Sequence, residues 1–103
     1  MAKRTSGCPL CGAGMTAMEL LDGCSELIDA HLGVLSARCP HCQGYLEVRP
    51  AAGQVDIGYT VGTGNTRFDV ALSLPYEGLV IEHSENPPSL TLKAPGRHWA
   101  FRE

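Results

Sequence analysis

Two short motifs, Cys8-Pro9-Leu10-Cys11 and Cys39-Pro40-His41-Cys42, constrain this chain more than any other feature. Each C-x-x-C turn presents two thiols from one loop, and a pair of such turns supplies the four soft ligands of a tetrahedral zinc site, with Zn–S near 2.3 Å. The odd fifth cysteine, Cys24, fits this arithmetic, because four ligands close such a site and leave one thiol over. Disulfides are the competing use of cysteine, and compartment decides between them. The apolar runs are far shorter than the roughly 20 residues that span a bilayer, and Met1 to Gly7 lacks the apolar stretch of a signal peptide. A cytoplasmic protein is therefore expected, and reducing compartments make paired C-x-x-C motifs metal or redox sites.

Local chemistry supports the turns. A proline after each first cysteine fixes φ and removes a competing donor. Gly12 and Gly44 follow the second cysteines, where positive φ would let backbone amides face sulfur.

The segments Cys8-Pro9-Leu10-Cys11-Gly12 and Cys39-Pro40-His41-Cys42-Gln43-Gly44 resemble the knuckles of zinc-ribbon and rubredoxin-like proteins. The resemblance implies that Cys8, Cys11, Cys39 and Cys42 are the four metal ligands. It covers the knuckles and reaches no specific family. Rubredoxins hold iron on the same pattern, so an iron electron carrier is the alternative. Against it, Gly12-Ala13-Gly14-Met15 lacks the aromatic residues that follow the first knuckle in rubredoxins, and the chain has only one Trp, three Tyr and two Phe to shield an iron site. A thioredoxin-like dithiol at Cys39 and Cys42 would need its motif to open a helix whose N-terminus lowers the thiol pKa. Here Gln43 to Val48 reads as a turn into a strand, and Cys8 and Cys11 would be left without a role.

Between the knuckles lie the 27 residues 12–38, and from Thr16 to Leu32 their pattern predicts a helix. Thr16-Ala17-Met18-Glu19 has capping-box spacing. Ala17, Leu20, Leu21, Cys24, Leu27, Ile28 and His31 recur at three- and four-residue intervals opposite Glu19, Asp22, Glu26 and Asp29. Gly33 stands where a left-handed cap is wanted, and Gly23 weakens the middle by about 1 kcal/mol relative to alanine. Val34 to Arg38 then reads as a strand. A helix of sixteen residues advances about 24 Å and six extended residues return roughly 20 Å, so the two knuckles can meet. A zinc ribbon usually has strands between its knuckles, so a helix there departs from that pattern.

After Cys42 the chain reads as short strands. Leu46 and Val48, then Val55, Ile57, Tyr59 and Val61, form a hairpin around Ala51-Ala52-Gly53. Gly62-Thr63-Gly64-Asn65 is a second turn, and Phe68, Val70, Leu72 and Leu74 alternate until Pro75 ends the strand. Leu79 to His83, Leu90 to Lys93 and His98 to Arg102 are further strands, separated by Asn86-Pro87-Pro88 and Pro95-Gly96. The expected fold class is α+β: a four-cysteine knuckle module with one amphipathic helix and a mostly antiparallel β C-terminal half. Residues 1–103 are read as a single domain, with 1–48 the knuckle and helix part and 49–103 the β part packed on it.

The formal charge of −3, from 11 acidic and 8 basic side chains, does not favour phosphate backbones, so a nucleic-acid-binding zinc ribbon ranks below a protein-binding module. Met1 to Gly7, with Lys3 and Arg4, reads as a solvated arm. Cys24 reads as a small core hydrophobe, His31 as a helix-end residue and His41 as a solvent-facing knuckle residue. Gly58, Gly62 and Gly64 are hairpin glycines, since no Gly-Lys-Ser/Thr follows them. Lys93, Arg97, His98, Trp99, Phe101 and Arg102 form one basic, aromatic patch, with Trp99 and Phe101 on one strand face and His98 and Arg102 on the other. It reads as a final strand burying Trp99, with a small surface for a binding partner or for single-stranded nucleic acid as the rival use. The histidines and carboxylates fall at no catalytic spacing, so enzymatic function is not expected. Structural zinc in an interaction or regulatory module is the expected role.

Overall fold

The computed structural model describes Cys8 and residues 10–102. The arm expected over Met1–Gly7 and the φ-fixing role of Pro9 lie outside the described residues. These comprise one helix, α1 (Ala17–Asp22), and eight strands: β1 (Cys24–Asp29), β2 (Val34–Arg38), β3 (Tyr45–Ala51), β4 (Gln54–Val61), β5 (Arg67–Pro75), β6 (Val80–Glu85), β7 (Pro88–Ala94) and β8 (Arg97–Arg102). Strands β1 to β5 lie side by side in chain order as one sheet, and β6 to β8 form a second. Every neighbouring pair is antiparallel.

The α+β expectation is overturned: the fold is nearly all β, and no long amphipathic helix separates the knuckles. The helix begins where the capping box placed it. Thr16 Oγ1 accepts from the Glu19 amide at 3.1 Å, and Glu19 Oε1 accepts from the Thr16 amide at 3.0 Å. It stops at Gly23, whose amide donates back to the Glu19 and Leu20 carbonyls while its own carbonyl accepts from the Arg38 amide at 3.3 Å. From Cys24 the chain becomes the edge strand of the large sheet. Leu27 lies opposite Leu35 and Cys24 opposite Ala37, but the register shifts between Cys24 and Glu26 and again between Leu27 and Asp29. These two irregularities break the two-residue alternation that marks a strand in sequence, so the apolar spacing imitates a helical period. Pairing with the buried β2 then overrides a weak local propensity. Gly33 keeps its positive φ of 75° but turns the β1–β2 hairpin, where its amide bonds the Asp29 carbonyl at 2.8 Å.

Beyond Cys42 the expected strands form, with one local difference. Ile57 pairs with Leu72, but the next residue, Gly58, pairs with Val70. The extra residue, Ala71, reverses the facing of β5. Leu72 and Leu74 share the inner face with Ile57 and Val55, whereas Phe68 and Val70 join Thr60 and Gly58 outside. Val70 is accordingly 47% exposed, and Phe68 is covered by Arg49, whose guanidinium lies 5.5 Å from the ring centroid.

One core joins α1 to both sheets. It contains Leu20 and Leu21 of the helix, Leu27, Leu35, Val48, Val55, Ile57 and Leu74 of the large sheet, and Leu90 and Leu92 of the small one. Burying such a side chain contributes about 1.5–3 kcal/mol, which makes the shared core the main attachment between layers. A polar latch adds to it. Asp22, at the end of α1, accepts from Trp99 Nε1 at 3.0 Å and from the Arg97 guanidinium. Tyr76 meets the Trp99 ring edge-on at 6.0 Å between centroids. As the alternation predicted, Trp99 and Phe101 lie opposite Leu92 and Leu90, while His98 and Arg102 lie opposite Lys93 and Ser89. No helix among the described residues is long and apolar enough to cross a membrane.

The close approach at the end of α1 makes a signed prediction. A Cβ on Gly23 would stand 2.9 Å from the Arg38 carbonyl oxygen. Alanine in a helix interior would stabilise by about 1 kcal/mol; here Gly23→Ala is expected to destabilise by about 1–3 kcal/mol, the range for forced overpacking. Urea unfolding checks it, and a stabilised variant would return this segment to the helix.

Candidate metal centre

The knuckles are built alike. In the first, the Cys8 amide donates to the Ala13 carbonyl at 2.9 Å and the Gly12 amide to the Cys8 carbonyl at 2.8 Å. In the second, the Cys39 amide donates to the Gly44 carbonyl at 3.0 Å and the Gln43 amide to the Cys39 carbonyl at 2.9 Å. The leading sulfur of each receives an amide two residues on, Leu10 to Cys8 Sγ and His41 to Cys39 Sγ, both at 3.3 Å. The second knuckle is the turn between β2 and β3, so the large sheet carries it; the first precedes α1.

The structure brings all four sequence-predicted cysteines together. The sulfurs of Cys8, Cys11, Cys39 and Cys42 lie within 4.8 Å of one another and could hold a metal ion. Cys11 Sγ and Cys39 Sγ are 3.8 Å apart. A regular tetrahedron with Zn–S of 2.3 Å has edges of about 3.8 Å, whereas a disulfide requires about 2.05 Å. All five cysteines are free thiols. The chemistry of the donor set therefore fits one tetrahedral thiophilic ion, with Cys8 and Cys39 buried and Cys11 and Cys42 exposed.

Electrostatics within the cluster agree. Burial pushes the Cys39 thiol up, but the Cys42 and His41 amides and the Cys8 and Cys42 thiols outweigh it and bring it down to about 6. At Cys11 the Ala13 amide favours the thiolate, yet desolvation and the neighbouring Cys42, Cys8 and Cys39 thiols raise it to about 11. Cys39 carries charge at the expense of Cys11. A divalent cation removes this conflict by stabilising every thiolate at once.

Two details of the second knuckle differ from expectation. The positive φ belongs to Gln43, at 63°, and not to Gly44. Gly44 instead leaves room for Leu10: a Cβ there would displace the Leu10 Cδ1 methyl and lie 3.2 Å from Cys42 Sγ. Leu10 thus bridges the knuckles. Sequence spacing gave no sign of that contact, since it joins residues 34 positions apart, from 10 to 44.

The remaining candidates stand apart from the cluster. Cys24 packs against the core from β1, and its Sγ donates to the Leu20 carbonyl at 3.5 Å. His31 is in the β1–β2 turn, with Nδ1 3.3 Å from Glu85 Oε1. His41 meets the site through its backbone amide. The C-terminal aromatic patch belongs to the small sheet and to the Asp22 latch. The chain matches no family of known proteins, no curated protein and no solved structure.

Burial, and then the Asp22 carboxylate, push the Cys24 thiol from 9.0 to about 12. Iodoacetamide at pH 8 is therefore expected to leave Cys24 unmodified in the folded chain and to alkylate it in urea, read by peptide mass mapping. A raised folded pKa means that this group's stability contribution holds below pH 9 and is lost as pH rises toward 12. Cys24→Ser should flatten the alkaline limb of the stability profile.

Proposed function

We propose that this chain is a small zinc-binding protein in which Cys8, Cys11, Cys39 and Cys42 hold one structural zinc ion, and that it serves as an interaction or regulatory module. The observation that carries this reading is the convergence of four sulfurs, two from each of two matching knuckles, within 4.8 Å. When bound, zinc supplies a closed tetrahedral link with no position for a water, so it contributes folding free energy and does not activate a nucleophile. The link ties the segment before α1 to the β2–β3 turn. Binding suits such a site better than catalysis.

The chemistry of the surroundings supports a protein partner. Leu10 and Tyr45, beside the two knuckles, are 57% and 51% exposed, and tyrosine is enriched at protein contact surfaces. The net charge of −3 works against phosphate backbones. Free thiols of this kind belong in a reducing compartment such as the cytoplasm.

Elemental analysis of purified chain is expected to give one zinc per molecule. Stoichiometric iron with visible colour that bleaches on reduction would replace this reading with an electron carrier. Cys8→Ser and Cys39→Ser should lose the metal and broaden or abolish cooperative unfolding, because both sulfurs are buried in the link. Cys24→Ser should retain a full equivalent. Salt-sensitive binding to single-stranded nucleic acid, abolished by removing Arg97 and Arg102, would contradict the choice of a protein partner.

A further inference from the structure

The two halves of the cysteine cluster differ in access. Cys11 and Cys42 reach solvent, while Cys8 and Cys39 are buried. The sulfur of the exposed Cys11 lies 3.8 Å from that of the buried Cys39, across the two knuckles rather than within one. Metal ligation requires both groups as thiolates, and an accessible thiolate beside an inaccessible one is the arrangement in which a small oxidant reaches the first and the second resolves the product. We propose that Cys11 is a hydroperoxide-modification site, resolved by Cys39, so that peroxide replaces the metal link between the knuckles with a Cys11–Cys39 disulfide.

The electron count closes with the peroxide as the sole oxidant. The Cys11 thiolate attacks one peroxide oxygen; the O–O bond breaks, Cys11 becomes a sulfenic acid and hydroxide leaves. The Cys39 thiolate then attacks the Cys11 sulfur, the S–S bond forms and a second hydroxide leaves. Two protons from solvent convert both hydroxides to water. Two thiolates have lost one electron each, and the peroxide has gained two. Only Cys8 and Cys42 then remain as ligands, too few for a closed tetrahedral site, so the zinc departs.

Geometry favours this bond over the alternatives. Closing from 3.8 Å to about 2.05 Å needs the knuckles to move toward one another, in the direction in which the metal already holds them. A bond within either knuckle would leave the first knuckle unlinked to the β2–β3 turn. The cross-knuckle bond keeps the segment before α1 joined to the β2–β3 turn, and Leu10 stays against Gly44. The same junction is thus held by metal under reducing conditions and by a covalent bond under oxidising ones. Cys24 does not compete, since its sulfur is turned to the Leu20 carbonyl.

This proposal rests on the structural-zinc reading, and one experiment separates the two. Full-length chain is assayed for zinc before and after stoichiometric hydrogen peroxide, and the products are mapped by non-reducing peptide mass spectrometry. The untreated chain should hold one equivalent of zinc; absence of metal there refutes the zinc reading alone, because the mapping still reports which disulfide peroxide makes. Treatment should release the full equivalent and link Cys11 to Cys39, with thiol reductant plus zinc reversing both changes. Retained zinc, or a Cys8–Cys11, Cys39–Cys42 or intermolecular disulfide as the main product, overturns the proposal. Cys24→Ser should behave as the parent chain. Cys11→Ser should lose the cross-link; should that variant fail to fold, the mapping on the parent chain decides the question.

Discussion

Four sulfur atoms drawn from two ends of a 27-residue excursion meet within 4.8 Å, and much of the N-terminal organisation follows from that meeting. The second knuckle is held firmly, because it is the turn of the β2–β3 hairpin and its flanking residues pair from Leu35–Val48 to Arg38–Tyr45. The first has no sheet of its own. Its position depends on the cluster, on Leu10 lying against Gly44, and on α1, which continues directly into β1. Remove the sulfur cluster and the segment before Met15 loses its principal attachment to the sheet.

The rest of the molecule closes around apolar contacts of ordinary kind. Leucines of α1, of the large sheet and of the small sheet share one core, and the Asp22 carboxylate binds Trp99 and Arg97 at the rim. A short helix of six residues would be marginal in isolation. Here Leu20 and Leu21 are buried in the core, Thr16 and Glu19 cap its start, and Gly23 lets its end approach Arg38. The helix persists because tertiary contacts secure both ends.

Much of the β architecture was legible in the sequence. Val34–Arg38 reads as a strand because the helical period ends at Gly33 and the chain runs straight into the second knuckle, and the β3–β4 hairpin shows in alternation on either side of Gly53, whose φ is 77°. The misreading of residues 16–32 has a specific cause. Leu20, Leu21, Leu27 and Ile28 fit a helical face, but the two register shifts of β1 remove the alternation by which a strand would have been recognised. The same cause operates in β5, where Phe68 to Leu74 alternate in sequence and yet divide between two faces at Ala71. Bulges are visible only when the partner strand is known.

For the candidate site, the sequence by itself determined the residue types and their grouping: two C-x-x-C turns, two thiol pairs of equal internal spacing and a fifth thiol set apart. Such information is local, because a turn of four residues brings its own two sulfurs together whatever surrounds it. The tertiary structure decided what distance along the chain cannot specify. It brought Cys11 beside Cys39, assigned the positive φ to Gln43, reserved Gly44 for Leu10, and exposed one sulfur of each pair while burying the other. These are properties of two segments meeting, and they arise only when hairpin, helix and core have set the approach.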